Sequence, residues 1–170
     1  RMSTHSAPTQ SAAYREGISV GLIGAIAIAL WFAILDLVRG DPLATPIMLG
    51  NAVGSLFLGG ELPSRAGAFL GYTVFHFSIF TLLGLAFAWA VNKAEKAPSV
   101  LIGVIGLFVA FEVGWTGFTS VLAEGFGQLT WLQVLVANLI AAAAMGFYMW
   151  RQHPSLAGRV DASIGGRLEA

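Results

Sequence analysis

The sequence predicts an all-α integral membrane protein, a four-transmembrane-helix bundle, and three observations lead to this class. Hydrophobic residues make up 56% of the 170 residues and charged residues 11%, against about 25% charged in a typical soluble domain. Four apolar stretches reach the length of about 20 residues that crosses a hydrocarbon core of roughly 30 Å. Lys and Arg are distributed unequally between the two sides that these stretches define.

The polar links between the apolar stretches set the order of the helices. The four predicted spans are residues 17–38, 66–91, 99–122 and 129–150. Residues 92–98 and 123–128 are short links, which make the helices they join antiparallel neighbours. The first stretch is too long for the core of a signal peptide, so we expect a retained helix. The transmembrane domain is therefore predicted over residues 17–151, between a disordered cytoplasmic tail at 1–16 and a cytoplasmic tail at 152–170.

The link between the first two spans contains a further apolar segment. Thr45 and Pro46 are suited to the cap and first position of a helix, and Gly59-Gly60 is suited to its end. A short helix over about 46–58 is predicted, too short to span, lying in the membrane interface or over the mouth of the bundle. The alternative is an irregular loop packed on the bundle.

Basic residues predict the orientation in the membrane. Two of them, Arg39 and Arg65, lie on the side of the long link. The side that holds both termini carries the other seven: Arg1, Arg15, Lys93, Lys96, Arg151, Arg159 and Arg167. Because cytoplasmic loops carry an excess of Lys and Arg, we expect a multi-pass protein of the cell inner (plasma) membrane with cytoplasmic N- and C-termini.

Rows of small residues mark faces where helices approach closely in lipid. These predicted packing positions are Gly17, Gly21, Ala25 and Ala29 in the first span, Gly106, Ala110 and Gly114 in the third, and Ala142 and Gly146 in the fourth. We interpret the rows as contacts within the bundle. The alternative is that one row binds a larger partner, and the first span, with the longest row, is the best candidate for such an outward face.

Polar residues on three spans are predicted to share one level near the membrane midplane. At 1.5 Å per residue, His76 lies about 16 Å from Arg65, Glu112 about 15 Å from Leu122, and Asn138 about 13 to 14 Å from Leu129. Ionisable groups at such depth are costly and require a structural or functional reason. Further polar side chains continue this layer toward the outer face: Thr73, Trp115 and Thr116. Together they predict a polar pocket or wet cleft.

Several roles are open for this layer. His76 and Glu112 could relay a proton or handle a small solute. They could also supply metal ligands, although two are too few for a closed metal site. His76, on a Phe-rich helix, could be an axial ligand of a haem or a chlorin. The remaining interpretation is a structural hydrogen-bond cluster of His76, Glu112 and Asn138. The cofactor is therefore unknown from the sequence, and so is any metal.

Other classes of protein are disfavoured. The chain has no cysteine, which excludes disulfides, thiolate metal sites and cysteine nucleophiles. Its net charge is zero, which gives no basic surface for nucleic acid. No catalytic residue is identified, because the nucleotide-binding, zinc-protease and serine-hydrolase motifs are missing. We therefore expect an accessory or structural subunit of a larger membrane complex, with lipid and other membrane subunits or further copies as partners. The alternative is a bundle that handles protons, small solutes or a haem.

One stretch has a recognisable pattern. Trp31 to Asp36 read W-F-x3-D, and Gly40 to Pro46 read G-x-P-L-x-T-P. The segment from Glu16 to Gly50, about a fifth of the chain, resembles part of small bacterial membrane proteins. This resemblance implies no activity.

Overall fold

The computed structural model describes residues 10–60, 62, 64–94 and 131–153, and this part of the chain is helical. Its helices are α1 (Gln10–Arg39), α2 (Ala44–Leu58), α3 (Arg65–Ala94) and α4 (Trp131–Gln152). Three of these, α1, α3 and α4, are long and apolar enough to cross a membrane, whereas α2 has 15 residues. The helical class and the short helix after the first span are thus confirmed for these residues. The predicted span at 99–122 lies outside them.

The ends of the helices follow from local chemistry. α1 begins at Gln10, before the predicted start at Gly17, and its first turns contain alanines, which favour helix. α1 ends at Arg39, where Gly40 adopts a left-handed φ of 78° that glycine tolerates. α3 begins after Ser64, whose Oγ accepts a hydrogen bond from the Gly67 amide at 3.0 Å. This bond is a side-chain cap of the first turn of α3.

Helices α1 and α3 pack antiparallel through their glycines. Gly17 lies against Leu85, and Gly21 lies against Gly84. A Cβ added to Gly84 would lie 2.6 Å from the Cα of Gly21, a distance that real Cβ atoms do not adopt. The absence of side chains on both helices therefore lets the two backbones touch, which is how membrane helices gain van der Waals contact.

Helices α1 and α4 are also antiparallel. Near the start of α1, Val20 clusters with Met149 close to the end of α4. Farther along α1, Phe32 clusters with Ala137 and Ala141 in the first half of α4. Residue numbers therefore rise along α1 as they fall along α4.

Because α3 and α4 are each antiparallel to α1, they run in the same direction. The bundle thus has two ends, which we name by one residue each. The Asp36 end holds the end of α1 and the starts of α2, α3 and α4; the His153 end holds the start of α1 and the ends of α3 and α4. Ala94 and Trp131, on either side of residues 95–130, accordingly lie at opposite ends.

The small-residue row of the first span coincides only in part with the buried stripe of α1. Gly17, Gly21 and Ala25 are buried against α3 or α4, whereas Ala29 is exposed. A spacing of four residues advances about 40° too far at each step of a helix with 3.6 residues per turn, so a strict row drifts off the contact face. The buried stripe instead leaves the row after Ala25 by a step of three to Ile28 and comprises Gly17, Val20, Gly21, Gly24, Ala25, Ile28, Phe32 and Asp36.

The row predicted on the fourth span faces away from α1. Ala142 is exposed, and a Cβ added to Gly146 would meet no described atom within 4 Å. The buried residues of α4 lie on a different face, at spacings of four and eight residues: Ala137, Ala141 and Met149. The row at Gly106, Ala110 and Gly114 lies outside the described residues.

Candidate functional site

His76 is the buried ionisable residue of the middle of α3, with 7% of its surface exposed. Its Nε2 lies 3.1 Å from the carbonyl oxygen of Ala25 on α1. A carbonyl oxygen only accepts, so Nε2 carries the hydrogen and donates it. In the neutral ring, Nδ1 is then an acceptor, and the Tyr72 hydroxyl 3.3 Å away donates to it. Both ring nitrogens are therefore engaged within the protein.

Aromatic side chains enclose the imidazole. The Tyr72 ring stacks on it at 5.3 Å between centroids, and the Phe80 ring lies at 4.8 Å. Phe77 adds an edge contact at 5.7 Å. A ring held by two hydrogen bonds and three aromatic neighbours joins α3 to α1 in a fixed register. Ligating an external metal or haem iron would require His76 to break one of its two bonds.

The described residues of the predicted midplane layer do not lie at one level of the bundle. His76 is level with Ala25 of α1. Gly24, the neighbour of Ala25, contacts Met145 of α4, so Met145 is close to the level of His76. Asn138 is seven residues from Met145, so it lies about 10 Å nearer the Asp36 end. His76 and Asn138 therefore lie at different levels of the bundle. Asn138 is half-buried.

The other predicted polar residues divide into two groups. Thr73 donates its hydroxyl to the carbonyl oxygen of Phe69, one turn earlier in its own helix, at 2.7 Å. It therefore needs no partner from another helix. Glu112, Trp115 and Thr116 lie outside the described residues, so the proposed pairing of Glu112 with His76 stays a prediction.

A second polar cluster, which the sequence did not indicate, lies at the Asp36 end. Asp36 is fully buried. One carboxylate oxygen accepts the Thr45 backbone amide at 2.8 Å and the other accepts the Thr45 hydroxyl at 2.7 Å. Arg39 lies 3.9 Å from the same carboxylate, three residues later on α1, a spacing that brings two side chains of a helix together. Thr45 and the turn after α1 cover the carboxylate.

This cluster corrects the predicted cap of the short helix. The helix begins at Ala44, and its N-cap residue is Leu43, in a left-handed conformation with no side-chain cap. Thr45 is thus inside the first turn. The acceptor for its free amide comes from Asp36 of the preceding helix, so a side chain nine residues earlier performs the capping that the N-cap residue normally provides.

A third polar contact lies at the His153 end. His153 Nε2 and Glu16 Oε1 are 2.7 Å apart, with 11% and 17% of the two side chains exposed. From the sequence, both residues are predicted to lie in the polar tails. The contact instead joins the early turns of α1 to the residue that follows α4. At the Asp36 end, the Trp31 indole donates to the Gln133 carbonyl oxygen at 3.1 Å and forms the corresponding link between the same helices.

No group of three or more His, Cys, Asp or Glu residues placed to hold a metal occurs in the described part of the chain. Comparisons of the whole chain with protein-family models, with curated proteins and with solved structures give no match. What the described residues define is therefore a class: a helical protein with three helices able to cross a membrane, joined by buried polar contacts.

Proposed function

We propose that this protein is an accessory or structural subunit of a larger membrane complex. The observation that carries the proposal is the complete use of the His76 ring by Ala25 and Tyr72. The described polar residue that is the best candidate for a ligand or relay is thus engaged within the protein, which supports a structural role for it. Asp36 is used in the same manner by Thr45.

The alternative, a bundle that handles protons, small solutes or a haem through His76, receives less support. Its hydrogen-bond chain runs from Tyr72 to the ring and ends on the Ala25 carbonyl oxygen, which has no proton to exchange. An iron atom would bind a ring nitrogen only after one of the two bonds opened, and a proton that arrived at Nδ1 could not leave through Nε2 while the bond to Ala25 held. The binding interpretation therefore requires a second arrangement of His76.

We infer further that the chain crosses the membrane four times, with both termini in the cytoplasm. The parallel direction of α3 and α4 supports this count, because residues 95–130 must connect opposite ends of the bundle. The termini are then on one side. Arg15, Lys93 and Arg151 mark that side as the cytoplasmic one, with Arg39 and Arg65 opposite.

The proposal is tested on the intact protein with a C-terminal tag, at its native expression level. Extraction into a mild detergent or polymer nanodiscs, followed by native mass spectrometry, should give a particle that contains other membrane subunits. A His76→Phe variant should keep this particle, and the wild-type absorption spectrum should show no haem or chlorin band. A free monomer, or an oligomer of this chain alone, would refute the subunit role, and a band that His76→Phe removes would favour the haem alternative.

A further inference from the structure

The short helix α2 runs in the same direction as α3 and beside it. Gly50 packs on the backbone of Ala68, where an added Cβ would lie 2.6 Å from the carbonyl carbon. Seven residues later on both helices, the rings of Phe57 and Phe75 are 6.1 Å apart. Because the two contacts are separated by the same number of residues on both helices, the helix axes are parallel. A helix lying flat across the mouth of the bundle would cross α3 once.

The chain after α2 turns back along the groove between α2 and α3. Gly59 has a left-handed φ of 76° and ends the helix. Leu62 then lies between the two helices: an added Cβ on Gly54 of α2 or on Gly71 of α3 would lie 3.0 Å from its side chain. The described residues after α2, namely 59, 60, 62 and 64, thus lead back to the Asp36 end, where α3 begins.

The depth of this hairpin follows from the level of its tip. Phe57 is level with Phe75, which is ten residues into α3 and adjacent to His76. At 1.5 Å per residue, the tip lies about 15 Å from the start of α3, or half of a hydrocarbon core of roughly 30 Å. The beginning of α2 is held at the Asp36 end by the bonds between Thr45 and Asp36.

The chemistry of α2 indicates what surrounds it. No charged residue occurs between Asp41 and Glu61, whereas helices that lie in the interface plane carry a strongly charged face. Near the tip, Leu56, Phe57 and Leu58 have 69%, 66% and 73% of their surface exposed. Side chains of this kind, at this level, suit the acyl chains of lipid.

We propose that α2, with the return toward α3 marked by Gly59 and Leu62, forms a re-entrant hairpin that enters the bilayer from the Asp36 end, reaches the level of His76, and contacts lipid acyl chains through Leu56, Phe57 and Leu58. This inference requires a membrane but not a partner subunit. Its failure would leave the proposed subunit role untouched.

Spin labels on single cysteines test the hairpin, because the natural chain has no cysteine. Phe57→Cys and Leu43→Cys sample the two ends of α2; Phe75→Cys is the matched position on α3, and Asp41→Cys is the water-exposed control. In phosphatidylcholine vesicles, collision with oxygen and with a water-soluble nickel chelate gives the depth of each label. The labels at 57 and 75 should have similar depths and be about tenfold less accessible to nickel than the label at 41, with the label at 43 near the surface.

Each other outcome overturns the proposal. Equal, shallow depths at 43 and 57 would mean a helix in the interface plane. Access of the nickel chelate to position 57 would mean that the label lies in a water-filled cleft. Exclusion of both oxygen and the nickel chelate would mean that protein covers the label. If Phe57→Cys does not fold, Leu56→Cys gives the same readout from a side chain that makes no aromatic contact with α3.

Discussion

Replacing Asp36 by Ala and Thr45 by Val, singly and together, measures the contact that joins α1 to α2. Thr45→Val removes the hydroxyl bond of 2.7 Å and keeps the backbone amide bond of 2.8 Å, whereas Asp36→Ala removes both. A hydrogen bond to a charged group contributes about 1.5 to 3 kcal/mol. Thr45→Val should therefore lower the free energy of unfolding by about 1.5 to 3 kcal/mol.

The two bonds to Asp36 give a gross loss of about 3 to 6 kcal/mol for Asp36→Ala. Removing the carboxylate also removes the cost of burying it, so we expect a net loss of about 2 to 4 kcal/mol. The double variant should be less destabilised than the sum of the single variants, by the energy of the shared hydroxyl bond, about 1.5 to 3 kcal/mol.

Equilibrium unfolding in mixed micelles of mild detergent and dodecyl sulfate, followed by circular dichroism, gives these free energies. Thr73→Val is the matched control, because its hydroxyl binds the carbonyl of its own helix. It should change stability by less than about 0.5 kcal/mol and show no coupling to Asp36→Ala. A coupling between positions 36 and 45 as small as that of the control would refute the hydroxyl bond, and a loss for Asp36→Ala no larger than that of the control would refute the capping role of Asp36.

Three further predictions use the same unfolding assay. His76→Phe should cost about 0.6 to 2 kcal/mol, the range of hydrogen bonds between membrane helices, and a cost near zero would contradict the bond to α1. Gly84→Leu should cost at least about 3 kcal/mol or prevent folding, because its side chain would meet the backbone of α1, and a loss below about 1 kcal/mol would contradict that close contact. Glu16→Gln and His153→Ala should show a coupling energy of about 1 kcal/mol, and additive effects would mean that the contact contributes nothing.

The sequence predicts the helices well because long apolar runs have one stable conformation in lipid. It also places Gly17 and Gly21 on a contact face, since few residues other than glycine permit backbones to touch. The sequence does not reveal which face of a helix a row of small residues occupies after several turns. Ala29 shares the spacing of Gly17 and Gly21 but rotates out to the surface, because the helix has 3.6 residues per turn rather than four.

Polar contacts between distant parts of the chain were harder to predict. The position of Asp36 at the end of an apolar stretch is typical of an interfacial residue, and its partner is set by a turn with a left-handed Leu43. His153 follows the last apolar residues and therefore resembles a tail residue; its partner is 137 residues earlier. Only the register of α1 on α4 brings the pair together, and that register comes from the packing of side chains such as Val20 and Met149.

The buried acid at the Asp36 end is explained by the geometry of α2. A helix that starts beside another helix, as α2 does beside α1, has free amide groups in its first turn and the positive end of its dipole there. Leu43, at the N-cap, has no side-chain acceptor for those amides. Asp36 supplies both the acceptor and the negative charge, and Thr45 satisfies its second oxygen. The first turn of α2 is therefore capped by a side chain of α1. Losing Asp36 should release the start of α2, while the contact of Gly50 with Ala68 still holds its middle.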